Sequence, residues 1–303
     1  MRVFVIVVTF NGAKWIDRCL VSLQKSNIPL EIMVIDNAST DNTVFIVKTS
    51  FNSVDLIEMD VNLGFGKANN IGLKKAFQYN GDYVFLLNQD AWVEHDSIDL
   101  LIRAAKKNKN FGILSPFHLL PDQQKIEWYF SIFITPEKCP NLYSDIYFNK
   151  LEDIYHLEFV NAAAWLITKE CLHEVGGFDP LFPHYGEDED YCERALYKKF
   201  KIGVVPASKI FHDITYRSWE VIKFDVQRQL IFAFIELKKI KFTFKFALFN
   251  YSKNRIDKLV FLFFTFQWKE FFFMMKILLL SYKYIFKISE SRKISKQNHS
   301  FLK

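Results

Sequence analysis

Two periodicities of apolar residues alternate through the first third of the chain. Residues 2–8 and 83–87 are almost wholly apolar, so neither can place alternate side chains in water, and both faces of such strands must be covered. Between them Trp15, Cys19, Leu20 and Leu23 recur at helical spacing, followed by a strand over 31–36 and a short helix over 41–47. A third strand over 54–59 and a helix over 67–79 lead into the strand at 83–87. This alternation, joined by short connections, predicts a doubly wound, mostly parallel α/β sheet with right-handed crossovers.

Three of these strands stop at polar residues. Thr9-Phe10-Asn11 follows the first, Asp36-Asn37-Ala38-Ser39-Thr40-Asp41 the second, and Asn88-Gln89-Asp90 the fourth. Ligands of open α/β sheets bind beyond the carboxyl ends of the strands, so the three would converge on one edge. Asp36 is suited to accept hydrogen bonds from a ribose or a base N–H, and Ser39 or Asp41 to cap the next helix. An Asx-turn accounts for Asp36-Asn37 equally well. Asn62-Leu63-Gly64-Phe65-Gly66 carries part of a glycine fingerprint, or simply a tight turn before the helix.

The alternation is lost over about 117–157, where Pro116, Pro121, Pro136 and Pro140 interrupt an aromatic segment at 128–134. An inserted hairpin or flap, facing an acceptor or merely solvent, is expected there. A strand over 158–168 follows, whose Ala162, Ala163 and Ala164 leave room for a backbone or a ligand. After Gly176-Gly177-Phe178-Asp179, a helix should begin near Glu187 with Glu187, Asp188, Glu189 and Asp190 in its first turn. Acids favour that position through the helix dipole, but four in a row repel. Crowding raises at least one carboxyl pKa and makes it a better proton acceptor. His212 follows a further strand at 202–205.

Composition changes this picture in one place. The 303 residues carry a net charge of +5, but residues 1–219 sum to −6 and residues 220–303 to +11, so the two parts face different partners. Residues 220–303 read as helices over 221–237, 244–262 and 263–288, rich in Phe and Lys. Lysines interrupt every long apolar window, which argues against a spanning helix and for an interfacial one on anionic lipid. A helical subdomain packed on the catalytic unit is the other reading, and no motif supports nucleic-acid binding. Four widely spaced cysteines without a C-x-x-C pair suggest neither zinc nor disulfides, as in a reducing cytosol.

Taken together, the polar strand ends, Asn62-Leu63-Gly64-Phe65-Gly66, Gly176-Gly177-Phe178-Asp179, Glu187-Asp188-Glu189-Asp190 and His212 resemble family 2 glycosyltransferases in order and spacing. The resemblance covers about residues 1–219 and is strongest to rhamnosyltransferase-like bacterial enzymes of surface-polysaccharide assembly. It implies a GT-A fold over 1–219, next to the helical region read over 220–303, an inverting mechanism and a nucleotide-diphosphate sugar donor of the dTDP-rhamnose or UDP-sugar class. It also implies a glycan or lipid-linked glycan acceptor, and the basic, Phe-rich region over 220–303 points to a cytoplasmic enzyme peripheral to the inner face of the membrane. Thr9, Asn11, Asp36, Asn37, Gly64, Asn88 and Gln89 would line the donor, with Asp36 on the base. Asp90 and His212 would hold Mg²⁺ or Mn²⁺, Asp188 would be the catalytic base, and Glu187 its partner in the family's E-D motif. Asn88 stands where the family's D-x-D motif has its first Asp, leaving Asp90 as the main anionic ligand. A sugar nucleotidyltransferase would need a basic glycine-rich loop where Thr9-Phe10-Asn11-Gly12 stands, and a non-catalytic relative would lack Glu187-Asp188.

Overall fold

The computed structural model describes residues 1–214 and 223–302. Its first half is the expected alternation: β1 (Val3–Thr9), α1 (Ile16–Gln24), β2 (Glu31–Asp36), α2 (Thr43–Ser50), β3 (Asp55–Glu58), α3 (Phe65–Gln78) and β4 (Tyr83–Asn88). β1 runs parallel to β2 and β4, and β2 to β3. The unbroken apolar runs have a direct cause, because successive residues enter two different cores. Phe4, Ile6, Ile35 and Leu86 pack on one side of the sheet, and Val5, Val7, Val34 and Phe85 on the other. Each such side chain stabilises the fold by roughly 1.5–3 kcal/mol, so a polar residue is tolerated on neither face.

Beyond β4 come β5 (Ala91–Val93), α4 (Ser97–Lys107), β6 (Phe111–Leu119), α5 (Trp128–Ser131), α6 (Leu142–Tyr147), β7 (Tyr155–Leu157), β8 (Ala164–Thr168), α7 (Lys169–Val175), α8 (Glu187–Tyr197) and β9 (Lys201–His212). They extend the sheet in the order β3-β2-β1-β4-β8-β6-β9-β5, with β7 on β9. β8 is antiparallel to both β4 and β6, and β5 to β9, whereas β6 runs parallel to β9, so the expected parallel winding holds over β1–β4 and the whole sheet is mixed. The strand expected over 158–168 starts only at Ala164, since residues 162–163 turn. The aromatic segment at 128–134 is not a hairpin strand. A bridge between Leu119 and Ile126 closes a small hairpin, and Glu127 then caps α5, accepting from the Tyr129 and Phe130 N–H groups.

The C-terminal part folds as α9 (Val226–Lys238), α10 (Phe244–Phe264), α11 (Trp268–Lys283) and α12 (Ile285–Ser295). The third expected helix is thus two, and the expected start at 221 and the boundary at 219 lie outside the described residues. Leu181 and Phe182, just before α8, share a core with Ile231, Phe234, Leu237, Tyr251 and Ile288. Lys238, buried on α9, donates to Asp190 of α8 at 2.6 Å and pairs with Asp179 at 2.5 Å. These helices are therefore keyed into the sheet domain. Among the described residues no helix is long and apolar enough to cross a membrane.

Candidate active site

Parallel register places Thr9 beside Asp36 and Val8 beside Asn88, so the three polar strand ends do meet on one edge. Asp36 is 2% exposed; its Oδ2 accepts from the Ser39 N–H at 2.9 Å, while Oδ1 is buried with no hydrogen-bond partner among the described residues. An unpartnered buried acceptor costs on the order of 1–3 kcal/mol, and a nucleobase N–H or a ribose hydroxyl is the kind of donor it lacks. The neighbouring residues spend their side chains on shaping this edge. Gln89 Oε1 accepts from the Thr9 hydroxyl at 2.7 Å and the Phe10 N–H at 2.9 Å. Asn37 donates to Asn62 at 2.9 Å and accepts from the Leu63 N–H at 2.7 Å, and Asn11 accepts from the Thr40 N–H at 2.8 Å. Gly64 has φ +80°, and a Cβ there would lie 1.9 Å from the Pro183 carbonyl oxygen. Only glycine lets this loop press against the segment leading into α8.

A second corner is built by the pairing of β5 with β9, which sets Ala91 opposite His212. The Asp213 N–H donates to the Asp90 carbonyl at 2.9 Å, and Asp90 Oδ1 comes to 3.3 Å from His212 Nε2. Two ligand atoms on one octahedral cation with bonds of about 2.1 Å lie about 3 Å apart, so this pair fits Mg²⁺ or Mn²⁺. His212 is buried, and burial alone lowers its pKa. Its hydrogen bond with Asp90 and the nearby charges of Asp90 and Glu127 outweigh burial and push it up to about 9. His118 is also buried, with its pKa well below the ordinary value through burial and the neighbouring His212. His118, Glu127 and His212 offer ligand atoms within 4.8 Å of one another.

The third component is the start of α8. Tyr185 and Gly186 both take left-handed backbone conformations, φ +69° and +82°, and turn the chain into the helix. Asp188 is half-buried; its carboxylate accepts from the Glu189 N–H at 2.8 Å and lies close enough to the Ala162 N–H to be stabilised by it. The Ala163 carbonyl accepts from the Asn88 N–H at 2.9 Å, so the 162–163 turn ties Asp188 to the end of β4. Burial raises the Asp188 pKa. Glu187 is pushed up to about 8, first by burial and then by Asp188. Asp190 is committed to Arg194 at 2.8 Å and Lys238 at 2.6 Å. The phenol of Tyr129 on α5 is pushed up to about 12 by burial, then by the charges of Asp188 and Glu189.

The structure thus assembles Asp36, Asp90, Asp188 and His212 along one edge, with Thr9, Asn11, Asn37, Gly64 and Gln89 as its bracing. Reading the sequence missed His118, Glu127, Tyr129 and Lys238. Only Glu127 carried a signal, as an acid directly before a short aromatic run.

Several known proteins are similar. The family model described as Glycosyl transferase family 2 matches residues 4–162. The N-acetylglucosaminyl-diphospho-decaprenol L-rhamnosyltransferase of Mycobacterium tuberculosis is 25% identical over 236 residues, 69% of this chain and 75% of that protein. The dTDP-rhamnosyl transferase RfbF of Shigella flexneri is 24% identical over 222 residues, 73% of this chain and 72% of that one. Among solved structures, the mannosyltransferase PcManGT of Pyrobaculum calidifontis, in complex with GDP-Man and Mn²⁺, aligns with a TM-score of 0.59 and 17% identity over 93% of this chain and 75% of its own. TarS 1–349 of S. aureus in complex with UDP aligns with a TM-score of 0.55 and 20% identity over 78% of this chain and 66% of its own. At these identities the structural likeness shows the GT-A fold.

Proposed function

The chain belongs to glycosyl transferase family 2, and on that premise we propose that it moves a sugar from a nucleotide-diphosphate donor, of the dTDP-rhamnose or UDP-sugar class, to a hydroxyl of a glycan or lipid-linked glycan. The observation that carries this reading is the tie between Asp188 and the strand edge that holds Asp36 and Asp90, through Ala162 and Ala163. Asp36 Oδ1 is the free acceptor for the nucleoside. Asp90 and His212 would hold a divalent cation, which supplies neutralisation of the departing diphosphate. Asp188, with its pKa raised by burial, takes the proton of the acceptor hydroxyl as that oxygen attacks the anomeric carbon. A single displacement inverts that carbon, and no second acid is required because the diphosphate is already a fair leaving group. Glu187, raised to about 8 beside Asp188, favours its proton there and so eases the charge repulsion next to the base.

Exposed Phe264, Phe266 and Phe272 (73%, 76% and 64%) stand among lysines of the C-terminal helices. They suit docking on anionic lipid by a cytoplasmic enzyme peripheral to the membrane, where a lipid-linked acceptor is presented. The test is nucleotide release from UDP-, dTDP- and GDP-sugars with Mn²⁺, Mg²⁺ or EDTA. Asp188→Asn should bind donor normally and turn over roughly 10²–10⁴-fold more slowly. Full activity in excess EDTA, or near-normal turnover by Asp188→Asn, would refute the corresponding assignment.

A further inference from the structure

We propose that Glu127 is a positioning residue for the metal half of the site, holding His212 by its Nδ1 edge and tying the flap helix α5 to it. This rests on the assignment of Asp90 and His212 to the donor cation. Glu127 is 0% exposed, and its carboxylate accepts from the Tyr129 N–H at 2.6 Å and the Phe130 N–H at 3.0 Å. Those bonds make it the cap of α5, yet capping does not explain the charge. Neutral Ser, Thr or Asn caps as well, and a cap contributes far less than burying a whole anion costs.

The charge is explained by what lies on its other side. Glu127 Oε2 faces His212 Nδ1 at 3.9 Å, and that Nδ1 is buried with no hydrogen-bond partner among the described residues. A metal-bound imidazole presents a lone pair at Nε2, so its proton sits on Nδ1 and needs an acceptor. Glu127 is placed to be that acceptor, and a closure of about 1 Å makes the hydrogen bond. His118 fixes the third side: its Nε2 lies 3.0 Å from the Ser115 hydroxyl, and its ring stacks on Phe130 at 4.3 Å and stands edge-on to His212 at 6.4 Å. Glu127 therefore links two halves of the reaction. Through His212 it reaches the metal corner, and through the Tyr129 N–H it orders α5, whose Tyr129 phenol feels the Asp188 charge.

The test titrates the full chain with Mn²⁺ in the presence of UDP, following free Mn²⁺ by electron paramagnetic resonance, alongside turnover. Glu127→Gln keeps a side-chain carbonyl for the cap and loses the charge. We expect its Mn²⁺ dissociation constant to rise 10–100-fold, the activating Mn²⁺ concentration to rise in step, and kcat to recover at saturating Mn²⁺. Glu127→Asp, charged but shorter, should weaken Mn²⁺ less and serves if the glutamine variant does not fold. Asp90→Asn separates the two readings. If it leaves Mn²⁺ affinity unchanged, the metal assignment itself is wrong; if it weakens Mn²⁺ while Glu127→Gln does not, the positioning role alone is overturned. Two Mn²⁺ per chain, one lost in Glu127→Gln, would also overturn it, in favour of direct coordination by Glu127.

Discussion

Replacing Lys238 by Met should destabilise the whole enzyme, although the residue lies in the C-terminal helices and far from the strand edge in sequence. The aliphatic length is kept and only the ammonium is lost. That ammonium is 3% exposed and meets Asp190 Oδ1 at 2.6 Å, Asp179 Oδ2 at 2.5 Å and the Ser295 hydroxyl at 2.9 Å. After its removal Asp190 keeps Arg194 at 2.8 Å, whereas the Asp179 carboxylate keeps, among the described residues, only the Leu181 N–H and the Ser291 hydroxyl. Removing one partner of a buried ion pair costs about 3–5 kcal/mol. At about 2 °C per kcal/mol for a chain of this size, Tm should fall by roughly 6–10 °C. Asp179→Asn in the Lys238→Met background neutralises the orphaned carboxylate and should return part of that loss. The pH dependence is fixed in sign. Burial raises Asp190, and Lys238 and Arg194 outweigh it and leave it below the ordinary range. A depressed carboxylate contributes stability above its unfolded pKa of about 4 and loses it as pH falls through the folded value. The deficit of Lys238→Met should therefore shrink on acidification below about pH 4. A melt within 2 °C of the wild type at pH 7, or a double variant no better than the single one, would refute this account of α9.

Three further outcomes follow from the site and the C-terminal surface. Glu187, raised to about 8, favours its proton in the folded state, so its contribution is complete below about pH 4 and is lost as pH rises towards 8; Glu187→Gln should melt progressively higher than wild type between pH 5 and pH 8, and a constant difference would count against the raised pKa. Asp36→Asn should weaken UDP or dTDP binding by about 10-fold or more, as the loss of a hydrogen bond to a charged acceptor implies; calorimetry showing unchanged affinity would remove Asp36 from the nucleoside. Replacing Phe264, Phe266 and Phe272 together by Ser should reduce co-sedimentation with anionic vesicles, and binding by the wild type should weaken with salt; equal sedimentation by both proteins would rule out that face.

The parts legible in the sequence are those whose cause is local. An all-apolar run can only be a strand covered on both faces, and β1, β2 and β4 lie within a residue or two of their expected bounds. The acids of α8 likewise mark a helix start. Antiparallel β8 was not legible as such, because a five-residue apolar strand reads the same in either direction and its pairing with β4 and β6 is decided elsewhere in the chain. The 128–134 segment failed for a related reason: Trp, Tyr, Phe and Ile favour strands, but the Glu127 cap and burial of Phe130 against His118 override that preference over one helical turn.

The charge imbalance is the clearest case of a pattern with two causes. Seventeen basic residues in 220–303 read as one lipid-facing population, yet Lys238 and Arg292 are 3% and 4% exposed. Lys238 neutralises carboxylates that the N-terminal part contributes, and Arg292 donates to the carbonyls of Leu237, Lys239 and Phe242 at the end of α9. Sequence alone cannot separate these two from the others, since a buried lysine is distinguished only by distant partners such as Asp179 and Asp190. Their burial also changes how the membrane face must be tested. A chain cut at 219 would lose the counter-ion of Asp179 along with the exposed aromatics, and so would confound unfolding with loss of lipid contact. Surface substitutions in the full chain leave the Lys238 network intact, and only they isolate what the exposed aromatics contribute.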